Sequence, residues 1–386
     1  MPAPAAHASV RPCSGLELAD LVRLHGKTLA GRCVLSPEQH ATLRDIERCR
    51  TAVLGGHLDV CTECGYEKPS YNSCRNRHCP KCQALAQARW IETRVERILP
   101  VHYFHVVFTL PSELRAVAKR FREKVFDLLF ASASQTLLEL GNDPERLGAE
   151  LGVTMVLHTW TRDLRFHPHV HAIVTGGGLS EEGSRWVPSD ETFLFPVQVM
   201  GALFRGKMIA ALERAHERRE LDLHSVDIPA LYETRWVVYA KRPFGGPEQV
   251  IRYLGRYTHR VGISNTRLVS MDDRNVTFRT KTGVVTLEGV AFLARFLQHV
   301  LPPRFVKIRH YGLHSASHAK TRLVVAKDLL APTPCHDSVP SLTDPLYLIQ
   351  TLTGVDVRLC PACHKPSLVR TALPEEQSRA PPARAA

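Results

Sequence analysis

The sequence predicts an α+β protein that opens with a helical, zinc-binding module. Three observations predict it. A helical pattern fills residues 15–50, a cysteine-rich segment runs from His57 to Cys82, and short β-branched and aromatic runs then alternate with long apolar-periodic stretches. In the first of these, Leu16, Leu18, Leu21, Val22 and Leu24, and later Leu43 and Ile46, recur at helical spacing. Ser36-Pro37-Glu38 reads as a helix start, with Ser36 as cap and Pro37 in the first turn, where its missing N–H is not needed. A helix is expected from Gln83 to about Leu99.

Tyr103 to Leu110 (YFHVVFTL) stops at Pro111 and has strand composition. Ser112 to Leu140 carries Leu114, Val117, Phe121, Val125, Leu128 and Leu129 on one helical side. Gly152–Thr159 and Val170–Thr175 read as two strands joined by the hairpin connection RDLRFHPH, and Gly176-Gly177-Gly178 is expected to end the second. A strand at Thr234–Tyr239, a loop at 241–246 and a helix from Pro247 to Arg260 come next. Strands near Leu268–Ser270 and Val276–Lys281 precede a short helix near Val290–Val300. Residues 1–14 and 374–386 are rich in alanine, proline and charge and are expected to be disordered.

Charge narrows the partners. The 386 residues carry 50 Lys and Arg against 38 Asp and Glu, a net charge of +12. Such an excess favours a polyanion, nucleic acid or an anionic membrane surface. No apolar run approaches the roughly 20 residues of a membrane span, no amphipathic basic helix stands out, and the first residues lack the charged-then-apolar order of a secretion signal. DNA is the expected partner, and no membrane.

There are 11 cysteines, an odd number clustered in CxxC knuckles, which points to metal binding in a reducing, cytoplasmic setting rather than to disulfides. Cys61/Cys64 and Cys79/Cys82 are two such knuckles, and zinc takes four soft ligands of this kind in a tetrahedron. Cys74, His78 and His57 are further candidate ligands, and a second zinc sharing ligands is open. Arg75, Arg77 and Lys81 are offered to DNA phosphates. Cys360/Cys363 forms one more knuckle with no partner pair nearby in sequence; Cys335, His336 or His364 are the expected completions. Cys13, Cys33 and Cys49 are scattered and read as small core or surface residues.

Two further patterns carry chemistry. His169-Val170-His171 sets two imidazoles on one face of a strand, with Val170 on the other. His158, on the preceding strand, is the first choice for a third ligand, ahead of His167. Taken alone, paired histidines are more often an ordinary surface feature. Tyr253 and Tyr257 stand four apart, roughly 6 Å along one helical face. Such a pair is usually core packing, but from Arg235 to Arg267 there are seven Lys and Arg and one acid, Glu248. Arg252, Arg256 and Arg260 bracket the tyrosines, and positive charge stabilises a phenolate and attracts a phosphodiester.

Together the phrases YNSCRNRHCPKCQ (Tyr71–Gln83), FTLP (Phe108–Pro111), HTW…FHPHVHAIVTGGGL (His158–Leu179) and YLGRYTHRVGISN (Tyr253–Asn265) resemble the two-tyrosine rolling-circle insertion-sequence transposases of bacteria, over residues 15 to 325. FTLP and HxH are shared with plasmid replication initiators and relaxases; the zinc and tyrosine phrases are specific. The resemblance implies an antiparallel sheet with the His-hydrophobic-His strand at its centre, flanked by helices. It implies Mg²⁺ or Mn²⁺ on His169 and His171, and cleavage of single-stranded DNA by Tyr253 or Tyr257 through a 5′-phosphotyrosine. The expected domains are 15–99 (helical and zinc-binding), 100–325 (nuclease) and 326–373 (C-terminal, with the CxxC knuckle). The alternatives are a replication initiator or relaxase, and a zinc protein that binds DNA without cutting it.

Overall fold

The computed structural model describes residues 15–82, 97–244, 262–331, 350, 354 and 356–374. Both termini, most of the helix expected at Gln83–Leu99, the helix expected at Pro247–Arg260 with Tyr253, Tyr257, Arg252, Arg256 and Arg260, and Cys13, Cys335 and His336 lie outside the described residues.

The described residues begin with helices α1 (Leu18–Arg32) and α2 (Pro37–Arg48). Ser36 caps α2 as expected: its hydroxyl accepts from the Gln39 backbone N–H, and the Gln39 side chain reaches back to the Ser36 N–H. Strands β1 (Gly56–Cys61) and β2 (Glu67–Tyr71) form a hairpin. The third strand of this sheet comes from the far end of the chain. β12 (Leu368–Ala372) pairs with β1 antiparallel, from His57 opposite Ala372 to Cys61 opposite Leu368.

The main sheet is antiparallel in all its pairings, with β3 (Tyr103–Thr109), β4 (Glu150–Trp160), β5 (Phe166–Leu179), β7 (Val238–Phe244) and β11 (Ile308–Gly312) in the order β11-β4-β5-β3-β7, and β6 (Trp186–Pro188) paired to the end of β5. One face carries Phe104, Val106, Phe108, Val153, Met155, Leu157, Val170, Ala172 and Val174, all buried in a single core. Helices α3 (Arg115–Arg120), α4 (Arg122–Asn142), α5 (Val197–Glu217) and α6 (Ile228–Glu233) supply the rest of that core through residues such as Phe126, Phe130, Phe204 and Leu231. This is the α+β architecture expected, with helices segregated from an antiparallel sheet.

A second core joins distant segments. Leu18, Leu21, Val22 and Leu29 of α1 meet Phe278 of β9 (Asn275–Arg279) and Phe292, Leu293 and Phe296 of α7 (Gly289–Leu297). β8 (Leu268–Met271) and β10 (Val284–Glu288) flank β9. α8 (Arg322–Leu330) covers the β6 end with Leu323 and Ala326.

Three expectations are corrected. The helix expected at Ser112–Leu140 is broken at Phe121, whose φ of −113° and ψ of 52° leave the helical basin; no proline or glycine marks the break, so tertiary packing sets it. The strand expected at Thr234–Tyr239 is shifted: Thr234 caps the end of α6, and β7 starts at Val238 and runs on to Phe244, through part of the expected loop, where its backbone pairs with β3. The three glycines do not end β5. They continue it, because Gly177 at φ +130° faces β6 and an added Cβ on Gly176 would lie 2.2 Å from the His102 ring.

Candidate functional site

β5 is the middle strand of the five-strand path, and alternation along it decides the site. Val170 points into the main core with no exposure. His169 and His171 therefore share the opposite face. His158 on β4 stands directly opposite His169 in the ladder, so the hairpin brings it to the same face. One ring nitrogen from each of His158, His169 and His171 lies within 4.8 Å of those of the other two. Ring centroids are 4.5 Å apart for His158–His171 and 4.9 Å for His169–His171. Trp160 stacks on the His158 ring at 4.7 Å.

The ring nitrogens facing away from the cluster are engaged. His169 Nδ1 donates to the His167 carbonyl at 2.7 Å. His171 Nδ1 is hydrogen-bonded to His105 Nε2 at 2.8 Å. These contacts orient the two imidazoles, as outer partners of metal-ligating histidines do. Burial pushes His169 down to about 4, and burial with nearby Lys241 and His169 does the same to His105. His169 and His105 are thus neutral near pH 7, the form of imidazole that binds a cation or orients a ligand. A trio of imidazoles fits a divalent ion and, when neutral, leaves it its full charge toward an anion; nitrogen donors suit Mn²⁺ better than oxygen-seeking Mg²⁺. His167 contributes its carbonyl and stays outside the trio.

His105 was missed in the sequence. Its signal was present: in YFHVVFTL it alternates with Phe104 and Val106, so a histidine faces away from the core on the strand beside HxH. On the next strand, Tyr239 lies opposite the same β3 residue, Val107, as His171 does, and is 51% exposed. Tyr311 instead packs against the main core.

The cysteines form two quartets, divided differently from the expectation that Cys61/Cys64 and Cys79/Cys82 pair with each other. Cys79 and Cys82 join Cys74 and Cys49; Cys61 and Cys64 join Cys360 and Cys363. Cys49, read from sequence as a scattered core or surface residue, ends α2 with its sulfur 3.3 Å from that of Cys82; Cys74 Sγ is 3.5 Å from Cys82 Sγ. Hydrogen bonds from its neighbours hold Cys82 well below the usual thiol range, while the same neighbours hold Cys79 well above it. One divalent ion held by the four sulfurs would relieve that crowding.

His57 and His78 stand outside both quartets. His57 Nε2 is 3.3 Å from Asp59. His78 Nε2 accepts from the Leu301 N–H at 3.4 Å, and burial pushes it down to about 3. Among the residues offered to phosphates, Arg75 is exposed, Arg77 donates to the Phe305 carbonyl, and Lys81 pairs with Glu17. His364 is also outside the quartets.

Comparison with known proteins places the chain among transposases. A family model described as "Transposase zinc-binding domain" matches residues 21–110, and one described as "Putative transposase" matches residues 152–322. The chain is 42% identical to "Putative transposase y4qJ" of Sinorhizobium fredii over 92% of this chain and 95% of that protein. It is 28% identical to "Transposase for insertion sequence element IS801" of Pseudomonas savastanoi pv. phaseolicola, over 73% of this chain and 74% of that one. No solved structure matches. Among the described residues no helix is long and apolar enough to cross a membrane. The chain belongs to the two-tyrosine family of insertion-sequence transposases with an N-terminal zinc-binding domain, DNA-binding and DNA-cleaving enzymes.

Proposed function

We propose that this transposase cuts and rejoins single-stranded DNA with Tyr253 and Tyr257 as nucleophiles. The observation that carries the reading is the convergence of His158, His169 and His171 on one face of the central strand. A divalent ion held there would polarise the scissile phosphate and stabilise its developing charge. The phenolate oxygen of one tyrosine forms the new bond to phosphorus, the bond to the 3′ oxygen breaks, and that oxygen leaves with a proton. The products are a 5′-phosphotyrosine and a free 3′-hydroxyl. Because the phosphotyrosine keeps the bond energy, the end can be passed to another strand without ATP. A second tyrosine permits a second cut while the first is occupied.

The described residues on either side of the tyrosine segment support this reading. β7 carries Tyr239 and Lys241 on the histidine face before the segment, and Gly262 resumes the described chain beside Leu164 and His299, at the hairpin turn next to the histidines.

Denaturing electrophoresis of the protein with a single-stranded oligonucleotide tests it. A covalent adduct should form with Mn²⁺ and vanish in the Tyr253→Phe, Tyr257→Phe double variant. Phenylalanine keeps ring packing and removes only the nucleophilic oxygen, so each single variant should retain cutting through its partner. An adduct that persists in the double variant overturns the assignment and directs attention to Tyr239.

A further inference from the structure

We propose that Cys61, Cys64, Cys360 and Cys363 bind a zinc ion of their own, which joins the two ends of the chain. Zinc held by four thiolates at about 2.3 Å in a tetrahedron sets its sulfurs roughly 3.8 Å apart. Cys61 Sγ and Cys363 Sγ are 3.6 Å apart, Cys64 Sγ and Cys360 Sγ are 3.7 Å apart, and all four lie within 4.8 Å of one another. Disulfides need about 2.05 Å, so these pairs are spaced for an ion between them.

The two knuckles repeat one backbone design. The Cys61 N–H donates to the Tyr66 carbonyl and the Gly65 N–H to the Cys61 carbonyl; the Cys360 N–H donates to the Lys365 carbonyl and the His364 N–H to the Cys360 carbonyl. In both, the residue four after the first cysteine is left-handed, Gly65 at φ +69° and His364 at φ +58°. A histidine held at positive φ is uncommon, and here the turn aims two sulfurs at one point. The halves are also tied around the sulfurs. Lys365 pairs with Glu63 at 2.8 Å, the Thr62 N–H donates to the Ser367 carbonyl at 3.0 Å, and the Ser367 hydroxyl lies 3.0 Å from Cys61 Sγ. Filling the site releases the thiol protons and leaves a compact dianionic centre, with Cys64 on the exposed side. The zinc-binding domain match stops at residue 110, whereas half of these ligands come from residues 360 and 363.

The test counts zinc in the full-length protein by elemental analysis and native mass spectrometry, with thiols kept reduced. His169→Ala and His171→Ala are included so that only cysteine sites are counted. Two zinc ions per chain are expected, falling to one with Cys360→Ser and Cys363→Ser. An unchanged count in that variant, or disulfides linking these cysteines in the protein as isolated, overturns the proposal. Cobalt substitution covers a variant that fails to fold. In the parent chain, thiolate-to-cobalt charge transfer should correspond to two four-thiolate centres; the intensity of one centre, lost on Cys79→Ser, overturns the proposal.

Discussion

His105 shows how much a single side chain can govern without touching the reacting atoms. Its contact with His171 Nδ1 holds in one orientation a ring that, in the proposed function, would bind the metal. Replacing it with phenylalanine keeps an aromatic ring but removes that bond, and loss of such an outer partner costs about 10–100-fold in metal affinity. Calorimetry should show Mn²⁺ binding weakened by this factor in His105→Phe and largely restored in His105→Gln. Wild-type affinity in the phenylalanine variant would leave His105 no positioning role. His299 acts on stability instead. It is buried, its Nε2 donates to the Leu164 carbonyl and Thr159 lies against its Nδ1, and burial pushes it down to about 3. Below about pH 6.5, therefore, the unfolded chain takes up a proton that the folded chain refuses. Its contribution is complete above that pH and is lost as pH falls toward 3, by about 1 kcal/mol per pH unit. Thermal melts between pH 7 and pH 5 should fall less steeply for His299→Gln than for the parent chain.

At the scale of elements, β5 packs one core and presents one site, so its errors are costly in both. Gly176→Ala would drive a methyl into the ring of His102, a residue whose backbone carbonyl already accepts from the Gly176 N–H at 2.7 Å. Such overpacking costs about 1–3 kcal/mol, and the urea midpoint should drop accordingly; an unchanged midpoint would mean that the ring simply moves aside. This strand also shows what was legible in the sequence. Alternation gave the shared face of His169 and His171, and the hairpin gave His158, because both depend on local periodicity. The α2 cap was equally local. The break at Phe121 was not legible, since nothing in its neighbourhood signals it. The partners of Cys61 and Cys64 were hidden for a different reason: knuckle spacing identifies a pair, but only the ladder between β1 and β12 determines which pair it meets. Cys49 was missed because a lone cysteine at a helix end carries no spacing at all. The helix α5 buries Met200, Phe204, Met208, Leu212 and Ala215 at helical spacing on one face, so its existence too was legible in local periodicity.

For the whole molecule, the net charge of +12 should dominate DNA affinity, and in the proposed function the histidines should govern cutting instead. Single-strand affinity measured against salt should fall with a slope near −0.7 per phosphate neutralised. His169→Ala with His171→Ala should keep that slope and affinity and lose cutting; a large loss of affinity would instead assign the histidines to binding. The pairing of β1 with β12 has a consequence during synthesis. β1 leaves the ribosome about 300 residues before its partner, a wait of roughly 15–60 s at ordinary elongation rates. Throughout that time one side of β1 offers unpaired backbone donors and acceptors, the kind of edge on which chains aggregate. A gene copy cut short before Leu368 would make that state permanent. Decay of the element from its 3′ end should then yield chains that are cleared as misfolded, rather than shortened enzymes that linger on the DNA.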